Sequence, residues 1–420
     1  MLNILINAYA VAPNWGSEQG MAWNWITNIA KYCKCFVITE GEWRSEIEDA
    51  LKEHPLRENI TFFYNPVLQK VRDMCWNQGD WRFYYYYHKW QKSTLKIAKH
   101  ICNEHKIDVI HQLNMVGFRE PGLLWKIKGI PYVWGPVGGM DNVPISFINE
   151  ESFKTKLFCR IKNFINTLQY SYQPTVRKAI KNSDTIISAV RGVENVLKNK
   201  YGKQTIIIPE TGIKGRCVPF EKTTKDENGF NILWVGRFIG TKKLDIAIRT
   251  IAKLKHLSNI KLHIVGFGMN NEESIYKDLA KELGVENNCI WHGKLANEEV
   301  HSMMQKMNIF FFTSIMEATS TVTLEAIQNR LPIVCHDTCG FGNIVNDSIG
   351  RKIELRTPQD SINDFAKVIE ELYHNRNLLA EMQPNFDKVA EGLTYEAKAK
   401  RTIEIYNNLV TKSINNHHVK

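Results

Sequence analysis

The sequence predicts an α/β protein made of two Rossmann-like domains, each with a doubly wound parallel sheet. Three observations lead to this class. First, 420 residues that are 44% hydrophobic and 23% charged, with a mean hydropathy of −0.31, suit a globular chain of two domains. Second, short apolar runs alternate with longer amphipathic stretches, which is the pattern of βαβ units. Third, a polar, turn-rich segment at 217–229 interrupts the alternation, which then begins again.

The first series of elements forms the predicted N-terminal domain, residues 1–216. Its strands are predicted from short apolar runs, because buried parallel strands are nearly continuous in apolar residues. They are Leu2–Ala8, Cys35–Thr39, Ile60–Tyr64, Val109–Gln112, Tyr132–Gly135, Thr185–Ala189 and Thr205–Pro209. The helical patterns between them are Gly20–Tyr32, Trp90–His105 and Val193–Tyr201.

The second series forms the predicted C-terminal domain, residues 217–394, which begins with the linker 217–229. Its predicted strands are Ile232–Val235, Lys261–Val265, Cys289–His292, Ile309–Thr313 and Ile333–His336. Its predicted helices are Leu244–Leu254, Ser274–Leu283, Asn297–Met307 and Ser361–His374. A last helical pattern, Tyr395–Leu409, lies in the segment 395–420, which we expect to pack back toward the N-terminal domain.

The net charge of +10 is concentrated in the first half of the chain. Residues 1–210 carry 27 Lys and Arg against 19 Asp and Glu, whereas residues 211–420 carry 27 against 25. Such a basic face suits an anionic membrane surface or a phosphate-bearing substrate, or it is an ordinary solvated face. The sequence has no basic recognition helix and no aromatic ribonucleoprotein-type motif, so nucleic acid is not an expected partner.

Two segments, 81–92 and 153–168, combine aromatic or apolar residues with basic ones. They could lie at a lipid interface, or they could be buried packing within an insertion. The chain has no run of about 18 apolar residues, so no spanning helix is expected, and its first residues resemble a core strand rather than a signal peptide. We expect a cytoplasmic protein, and peripheral attachment to the inner face of the cytoplasmic membrane stays open.

The nine cysteines show no CxxC pair and no spacing typical of a metal site. Free thiols in a reducing compartment are the expected state. No aspartate-rich metal site is evident either, so we expect neither a metal ion nor a resident cofactor.

Two glutamates eight residues apart, Glu317 and Glu325, are the most informative feature of the chain. Their segment, residues 310–336, predicts a strand, a loop, a helix and a second strand. Ligands of such sheets bind at the carboxyl ends of strands. Glu317 would therefore enter a crevice from the loop, and Glu325 would lie about two turns into the helix. By themselves the two carboxylates could be a general acid and base, or the two ends of a ligand clamp.

Cationic side chains follow a predicted strand at the start of the second domain. The sequence after Gly236 carries Arg237, Lys242 and Lys243. Arg grips phosphate oxygens through two parallel hydrogen bonds and Lys acts as a point charge, so Arg237 and Lys242 could neutralise a diphosphate without Mg²⁺. An ordinary charged surface is the alternative for each of these residues.

The turn Ser320-Thr321-Val322 precedes the helix that bears Glu325. Its backbone N–H groups and hydroxyls could bind a phosphate at the helix N-terminus, or Ser320 or Thr321 could simply cap the helix. An ionised carboxylate at Glu325 would suit a ribose diol, because it accepts two hydrogen bonds.

The first domain offers weaker candidates. His111 lies in the predicted strand Val109–Gln112, where a histidine can do acid–base work or orient a sugar, although a lone histidine is more often structural. Gly16 and Gly20, like the Gly-x-Gly at 266–268, are weak phosphate-loop signals that turn glycines explain more simply.

Together these residues resemble a known family. Positions 231–354 resemble the C-terminal domain of the family 4 retaining glycosyltransferases, the group 1 glycosyltransferases of the GT-B fold. The matching motifs, in order, are GRFIGTKKLD, LHIVGFG, WHGKL, Glu317-x7-Glu325 and LPIVCHDTCG. The N-terminal half resembles a bacterial polysaccharide-assembly branch of that family, through GSEQGMAWNW (16–25), DVIHQLNMVGFREPG (108–122) and WGPVGG (134–139). The resemblance implies two Rossmann-like domains facing a central cleft, with the acceptor bound by the N-terminal domain.

The resemblance also implies a role for each candidate in the second domain. Glu317 would face the donor sugar and the reaction centre, and Glu325 would bind the ribose hydroxyls. Arg237 and Lys242 would hold the diphosphate. Further phosphate contacts would come from Ser320, Thr321 and Val322, and the base would rest near His292–Leu295.

In the first domain the resemblance places His111 beside the sugar, with Gly16 and Ser17 approaching the diphosphate from the opposite domain. Two departures from the family pattern bear on the site. Ala318-Thr319-Ser320 replaces the usual glycine-rich loop, which could reshape the sugar pocket. Lys242-Lys243 replaces a common Lys-Gly pair, which leaves open which lysine points inward.

The function that the resemblance implies is transfer of a sugar, with retention of configuration, from a UDP-, GDP- or ADP-sugar. The acceptor would be a glycan or a lipid-linked acceptor in cell-surface polysaccharide biosynthesis. The alternatives are a nucleotide-sugar epimerase of similar two-domain fold and a non-catalytic sugar-nucleotide-binding protein. An epimerase would turn over the donor with no acceptor present and without forming a glycosidic bond.

Overall fold

The computed structural model describes residues 1–77, 80–148, 152–219, 229–269 and 271–418. The chain divides into two compact units. The first comprises Met1–Asp141, Phe164–Gly212 and Tyr395–Lys420, and the second comprises Asn142–Asn163 and Ile213–Thr394. Residues 220–228, most of the expected linker, lie outside the described residues.

The first unit is built on a seven-stranded sheet in which every neighbouring pair is parallel. Its strands are β1 (Leu2–Asn7), β2 (Cys33–Thr39), β3 (Ile60–Tyr64), β4 (Val109–Gln112), β5 (Tyr132–Val137), β6 (Thr185–Ser188) and β7 (Ile206–Ile207). They lie in the order β3-β2-β1-β4-β5-β6-β7. The order changes direction between β1 and β4, which is where doubly wound sheets open a crevice at their carboxyl ends.

Helices cover this sheet and connect its strands. They are α1 (Ser17–Ile29), α2 (Arg44–Lys52), α3 (Gln69–Trp76), α4 (Arg82–Glu104), α5 (Phe153–Tyr172), α6 (Pro174–Asn182) and α7 (Arg191–Tyr201). Only the second half of α5, from Phe164, belongs to this unit. Within the first sheet, Ile6 of β1 lies opposite His111 of β4, and Asn7 lies opposite Gln112. The loops that follow these two strands therefore leave the sheet at the same edge.

The second unit has a six-stranded sheet, also parallel at every pair, in the order β10-β9-β8-β11-β12-β13. Its strands are β8 (Phe230–Val235), β9 (Ile260–Val265), β10 (Cys289–Gly293), β11 (Ile309–Phe312), β12 (Ile333–His336) and β13 (Gly350–Ile353). Its helices are α8 (Leu244–Lys253), α9 (Glu272–Glu282), α10 (Asn297–Lys306), α11 (Thr321–Gln328), α12 (Cys339–Ile344), α13 (Pro358–His374), α14 (Asn377–Met382) and α15 (Phe386–Leu393). Here the strand order changes direction between β8 and β11.

The last helix, α16 (Tyr395–His418), returns to the first unit. Ala399 and Tyr406 of this helix are buried in the same hydrophobic cluster as Ile6 and Trp25. Burial of apolar surface against the first sheet therefore fixes the helix in that unit.

Residues 142–163, which the sequence division assigns to the N-terminal domain, group with the second unit. The reason is packing, because Val143, Phe147 and Ile148 are buried in the same core as β8 and β11. The ring of Phe147 meets His336 edge-on at 5.9 Å between centroids. Among the described residues, no helix is both long enough and apolar enough to cross a membrane.

Candidate functional site

The carboxyl edge of the second sheet gathers most of the predicted site residues. Arg237 and Lys242 follow β8, and Glu317 follows β11. These two strands are hydrogen-bonded neighbours at the point where the strand order reverses. Topology therefore puts their loops at the place where a doubly wound sheet binds ligands.

Lys242 and Glu317 form an ion pair in this place. The distance from Lys242 Nζ to Glu317 Oε2 is 2.6 Å, and the two side chains are only 12% and 24% exposed. Lys242 Nζ also lies 4.8 Å from the ring centroid of Phe312, the last residue of β11. Both charges are thus partly withdrawn from water and compensated by each other, which makes the contact a strong one.

The loops that carry the pair are braced by buried hydrogen bonds. Thr313 Oγ1 donates to the backbone carbonyl of Lys242 at 2.8 Å, and it accepts from Trp234 Nε1 at 3.0 Å. The Glu317 N–H donates to Cys339 Sγ at 3.1 Å. Thr313 and Cys339 are supporting residues that motif reading missed, because neither carries a charge or a catalytic signature.

Lys243, the alternative to Lys242, occupies a different environment. It is buried, and its backbone at the start of α8 is left-handed, with a φ of 52°. The common Lys-Gly pair of the family has glycine at this position, which fits a left-handed conformation that glycine adopts without cost. Lys242 is therefore the lysine that the structure places beside Glu317.

The glycines near β8 have a packing role. Gly266, which follows β9, has a φ of 150°, and a Cβ there would lie 1.8 Å from the carbonyl oxygen of Gly236. Close approach of two backbones thus requires glycine at this position. This requirement explains the first glycine of the Gly-x-Gly at 266–268 without a phosphate.

The N-terminus of α11 lies in the same loop system. Ser320 is the buried N-cap residue, with extended backbone and no side-chain capping bond, so the capping alternative does not apply to its hydroxyl. Thr321 is exposed and Val322 is half-buried. The N–H groups of Thr321 and Val322 precede the first intrahelical hydrogen bond, which Thr323 donates to the Ser320 carbonyl at 3.2 Å.

Glu325 is the fifth residue of α11, so it lies one turn into the helix rather than two. Burial raises the pKa of its carboxyl group, and the nearby charge of His301 opposes this shift. A half-buried carboxylate of this kind needs hydrogen-bond donors to stay ionised.

His292 lies near the carboxyl end of β10 and is half-buried. Its Nε2 is 3.0 Å from Nδ1 of His263, and the two rings stack at 5.3 Å. Burial lowers the pKa of both imidazoles, and for His263 the value falls to about 4. Burial therefore favours the neutral form of both rings, in which each imidazole has one hydrogen-bond donor and one acceptor.

His111, in the first unit, is fully buried. Its Nδ1 is 2.5 Å from the Tyr406 hydroxyl, and its Nε2 is 2.7 Å from the Gly135 carbonyl. Burial lowers the pKa of the imidazole to about 4, although the hydrogen bond to Gly135 opposes the shift. Both ring nitrogens are thus occupied by the protein, and neither is available for the acid–base role that the sequence suggested.

Gly16 and Ser17 lie at the start of α1 and are exposed. Gly16 has a φ of −88°, and a Cβ there would meet nothing within 4 Å, so the fold itself does not require glycine. Ser17 is left-handed, with a φ of 53°. The next residue, Glu18, accepts hydrogen bonds from the N–H groups of Met115 and Val116 at 2.9 and 3.0 Å, which ties α1 to the loop after β4.

The structure therefore brings the second-unit candidates to one sheet edge and places His111, Gly16 and Ser17 in the other unit. Among the described residues, no group of three His, Cys, Asp or Glu side chains could hold a metal ion. The positive charge at the sheet edge is supplied by Arg237, which is exposed, and by Lys242.

A protein-family model described as glycosyl transferases group 1 matches residues 219–389. This segment of the chain is similar to the group 1 glycosyltransferases. The predicted likeness to group 1 glycosyltransferases is confirmed over this segment, which contains Arg237, Lys242, Glu317 and Glu325.

Two relatives of known name are similar to this chain in sequence. Protein CapJ of Staphylococcus aureus is 27% identical over 210 residues, which cover 49% of this chain and 49% of CapJ. Lipopolysaccharide glucosyltransferase WaaG of Escherichia coli K12 is 28% identical over 139 residues, which cover 32% of this chain and 36% of WaaG. The chain spans less than half the length of the curated relatives that it matches.

Solved structures extend the similarity to nearly the whole chain. The crystal structure of WaaG aligns with 96% of this chain and 99% of its own, at a TM-score of 0.56 and 20% identity. The structure of Anabaena Alr3699/HepE in complex with UDP aligns with 97% and 100%, at a TM-score of 0.56 and 14% identity. These likenesses confirm the predicted class, two Rossmann-like sheets of the GT-B kind, outside the group 1 domain as well as within it.

Proposed function

We propose that this protein is a retaining glycosyltransferase of family 4 that moves a sugar from a nucleotide-diphosphate sugar to a glycan or lipid-linked acceptor in cell-surface polysaccharide biosynthesis. The observation that carries the proposal is the Lys242–Glu317 ion pair, which lies at the strand-order reversal of a group 1 domain. At this edge the cation can bind the diphosphate of a nucleotide sugar, and the neighbouring carboxylate can face its sugar.

The diphosphate is the part that the cations would bind. In the free protein Lys242 is neutralised by Glu317, so a bound diphosphate would compete for its ammonium group. Exposed Arg237 and the N–H groups of Thr321 and Val322 would add contacts, since a helix N-terminus favours negative charge. These groups supply the positive charge that a metal ion would otherwise provide, which supports metal-independent transfer.

The reaction that we propose keeps the configuration of the sugar. The bond between the anomeric carbon and the diphosphate oxygen breaks, and its electron pair leaves with the diphosphate. The acceptor oxygen bonds to the same face of the sugar, and its proton passes to the departing diphosphate. Glu317 would stabilise the positive charge that develops on the sugar ring, and Lys242 and Arg237 would stabilise the charge on the diphosphate.

The remaining donor contacts are proposed from position. Glu325, one turn into α11, would accept hydrogen bonds from the ribose hydroxyls, which would also satisfy its half-buried carboxylate. His292 and the backbone that follows it would lie near the base. Gly16 and Ser17 remain proposed donor contacts. The fold does not require glycine at position 16, which supports the view that a ligand approaches this residue.

His111 takes a different place in this proposal. A buried ring with both nitrogens occupied can position the end of β4 and the Gly135 turn but does not contact substrate. We therefore assign it a positioning role rather than a catalytic one.

The test begins with the donor. UDP-, GDP- and ADP-sugars would be screened by thermal shift and by hydrolysis, because a ligand that binds only the native state raises its stability. UDP-sugars come first, since HepE, which is similar in fold, was crystallised with UDP. Turnover in the presence of EDTA would examine metal independence.

Glu317→Gln is the decisive variant. We expect turnover to fall about 100-fold or more, because charge stabilisation in the transition state is lost. Nucleotide affinity should stay equal or become tighter, because Lys242 is released from its carboxylate partner. Glu298→Gln, at an exposed carboxylate of α10, is the matched control. Full turnover in Glu317→Gln would overturn the assignment, and donor conversion without an acceptor would favour the epimerase.

A further inference from the structure

Three tryptophans lie next to one another on the surface of the first unit. Trp15 lies between β1 and α1, Trp43 directly precedes α2, and Trp76 is the last residue of α3. The ring centroid of Trp43 is 5.5 Å from that of Trp15 and 5.5 Å from that of Trp76. Trp15 is 47% exposed and Trp76 is 39% exposed. We call Trp15, Trp43 and Trp76 the tryptophan row.

The backbone around Trp15 is closely constrained. Asn14 and Ser17, on either side of it, are both left-handed, with φ angles of 60° and 53°. A Cβ on Gly20 would lie 1.7 Å from the carbonyl oxygen of Trp15, so only glycine lets this loop pack so closely on α1. Left-handed residues other than glycine are unfavourable in themselves, and such strain concentrates at binding and catalytic sites. The loop therefore holds Trp15 in one place at the surface.

The two outer indoles are also fixed at their edges. Trp15 Nε1 donates to Glu46 Oε2 at 2.9 Å, and Trp76 Nε1 donates to Glu42 Oε2 at 2.8 Å. A ring that is already oriented loses little conformational freedom when a ligand binds to its face. Each carboxylate also has further lone pairs that can accept hydrogen bonds from hydroxyl groups. The row thus combines exposed aromatic surface with fixed hydrogen-bond acceptors beside it.

Core packing accounts for the middle ring but not for the outer two. Among the described residues, the hydrophobic cluster around Tyr9 has Trp43 packed against it but includes neither Trp15 nor Trp76. Tryptophan is a highly buried residue on average, because its large apolar surface is unfavourable in water. Two adjacent exposed indoles that the core does not need therefore indicate a binding surface.

We propose that the tryptophan row binds the pyranose rings of a neutral oligosaccharide, which under the proposed function is the acceptor. The C–H groups on one face of a pyranose ring are weakly positive, so they pack on the negative face of an indole. Hydroxyl groups at the edge of the sugar would donate to Glu42 and Glu46. The proposal rests on the proposed function in taking this saccharide as the acceptor.

The charges around the row favour a neutral ligand over an anionic one. Residues 40–49, which contain Trp43, carry five Asp and Glu and one basic residue. Such surroundings repel phosphate-bearing ligands. A quaternary ammonium ion needs aromatic rings that stand open around it. Here neighbouring rings pack against each other, which leaves faces for a flat ligand and no cage for a cation.

The test is direct binding of neutral oligosaccharides to the full chain, followed by tryptophan fluorescence and calorimetry without a nucleotide sugar. The probes are maltohexaose, cellohexaose and chitohexaose, with glucose for comparison. We expect at least one hexasaccharide to bind more tightly than glucose, with little dependence on salt because the ligand is neutral. Trp15→Ala with Trp76→Ala should weaken that binding about 10-fold, at roughly threefold for each stacked ring. Trp15→Phe with Trp76→Phe should keep most of it, because exposed aromatic faces remain.

Tyr172→Ala is the control, because Tyr172 is a 66% exposed aromatic residue of the first unit outside the row. Thermal melting would verify that each variant is folded. The proposal is overturned if none of the three hexasaccharides binds the native protein, or if the double alanine variant binds as tightly as the native protein. Tighter binding of tetramethylammonium than of any hexasaccharide would also overturn it, in favour of a cation site.

The two proposals fail in different measurements. Donor binding and donor hydrolysis are followed without any oligosaccharide, and oligosaccharide binding is followed without any donor. A protein that binds a hexasaccharide through the row but no nucleotide sugar would refute the proposed function. A protein that binds and hydrolyses a donor but binds no hexasaccharide would refute only the role of the tryptophan row.

Discussion

His111 gives a prediction that separates a buried structural histidine from a catalytic one. The folded pKa of about 4 lies below the ordinary value of 6.5, because burial disfavours the charged ring. Protonation therefore favours the unfolded chain. The stabilising contribution is complete above pH 6.5, and it is lost as the pH falls toward 4.

The size of this loss follows from the two pKa values. Between about pH 7.5 and about pH 5, the unfolded chain takes up a proton at this position and the folded protein does not. At about 1.4 kcal/mol per pKa unit, His111 then accounts for a loss of about 2 kcal/mol in the free energy of unfolding. Burial also lowers the pKa of His336, in the second unit, to about 4. The second unit therefore also loses stability as the pH falls.

The measurement is urea unfolding at the two pH values, followed by hydrogen exchange of the β4 amides so that the first unit is observed alone. In His111→Gln, which keeps a hydrogen-bonding side chain without a titrating ring, the pH dependence of β4 stability should shrink by about 2 kcal/mol. His100→Gln is the control, because this α4 side chain is 71% exposed. An unchanged pH dependence in His111→Gln, or loss of turnover without loss of stability, would refute a buried positioning role.

Four further predictions follow from the contacts described above. Tyr406→Phe removes the hydroxyl bonded to His111 and should cost about 1–3 kcal/mol of stability, seen in thermal melting, with turnover retained at low temperature. Lys242→Ala should weaken binding of the donor nucleotide by about 10-fold or more in calorimetry. Lys243→Gly should leave binding intact and be about 1 kcal/mol more stable than Lys243→Ala, because residue 243 is left-handed. Donor affinity should fall as the pH is lowered toward the raised pKa of Glu325, and Glu325→Gln should bind weakly with that pH dependence abolished.

The strands were predictable because burial on both faces makes them short apolar runs. The observed limits of β3, β4 and β12 are those predicted from the sequence. β13 was missed because Gly350–Ile353 is polar in its middle, and α12 was missed because two of its six residues are glycine. Neither has the apolar periodicity on which such prediction depends.

The site was predictable only in part. The carboxyl ends of neighbouring parallel strands lie at one edge of a sheet, so the sequence predicts that Lys242 and Glu317 lie close together. It does not predict that they form an ion pair. It could not orient His111, since a strand buried on both faces has no alternation to show where a side chain points. The partner of His111, Tyr406, lies 295 residues away along the chain. The sequence also does not show which side of α5 faces solvent, because its apolar residues fit a buried helix as well as an exposed one.

The return of α16 to the first unit constrains how the chain can fold while it is being synthesised. All seven strands of the first sheet have been made when Ile207 is complete, but their core also needs Ala399 and Tyr406. At about 5–20 residues per second, a ribosome needs roughly 10–40 s to bridge that interval. Residues Ile213–Thr394, which complete the second unit, are made within this time, so that unit can fold first. The first strands of the nascent chain therefore keep an apolar face exposed until α16 is made. Holding chaperones can bind that face during this interval.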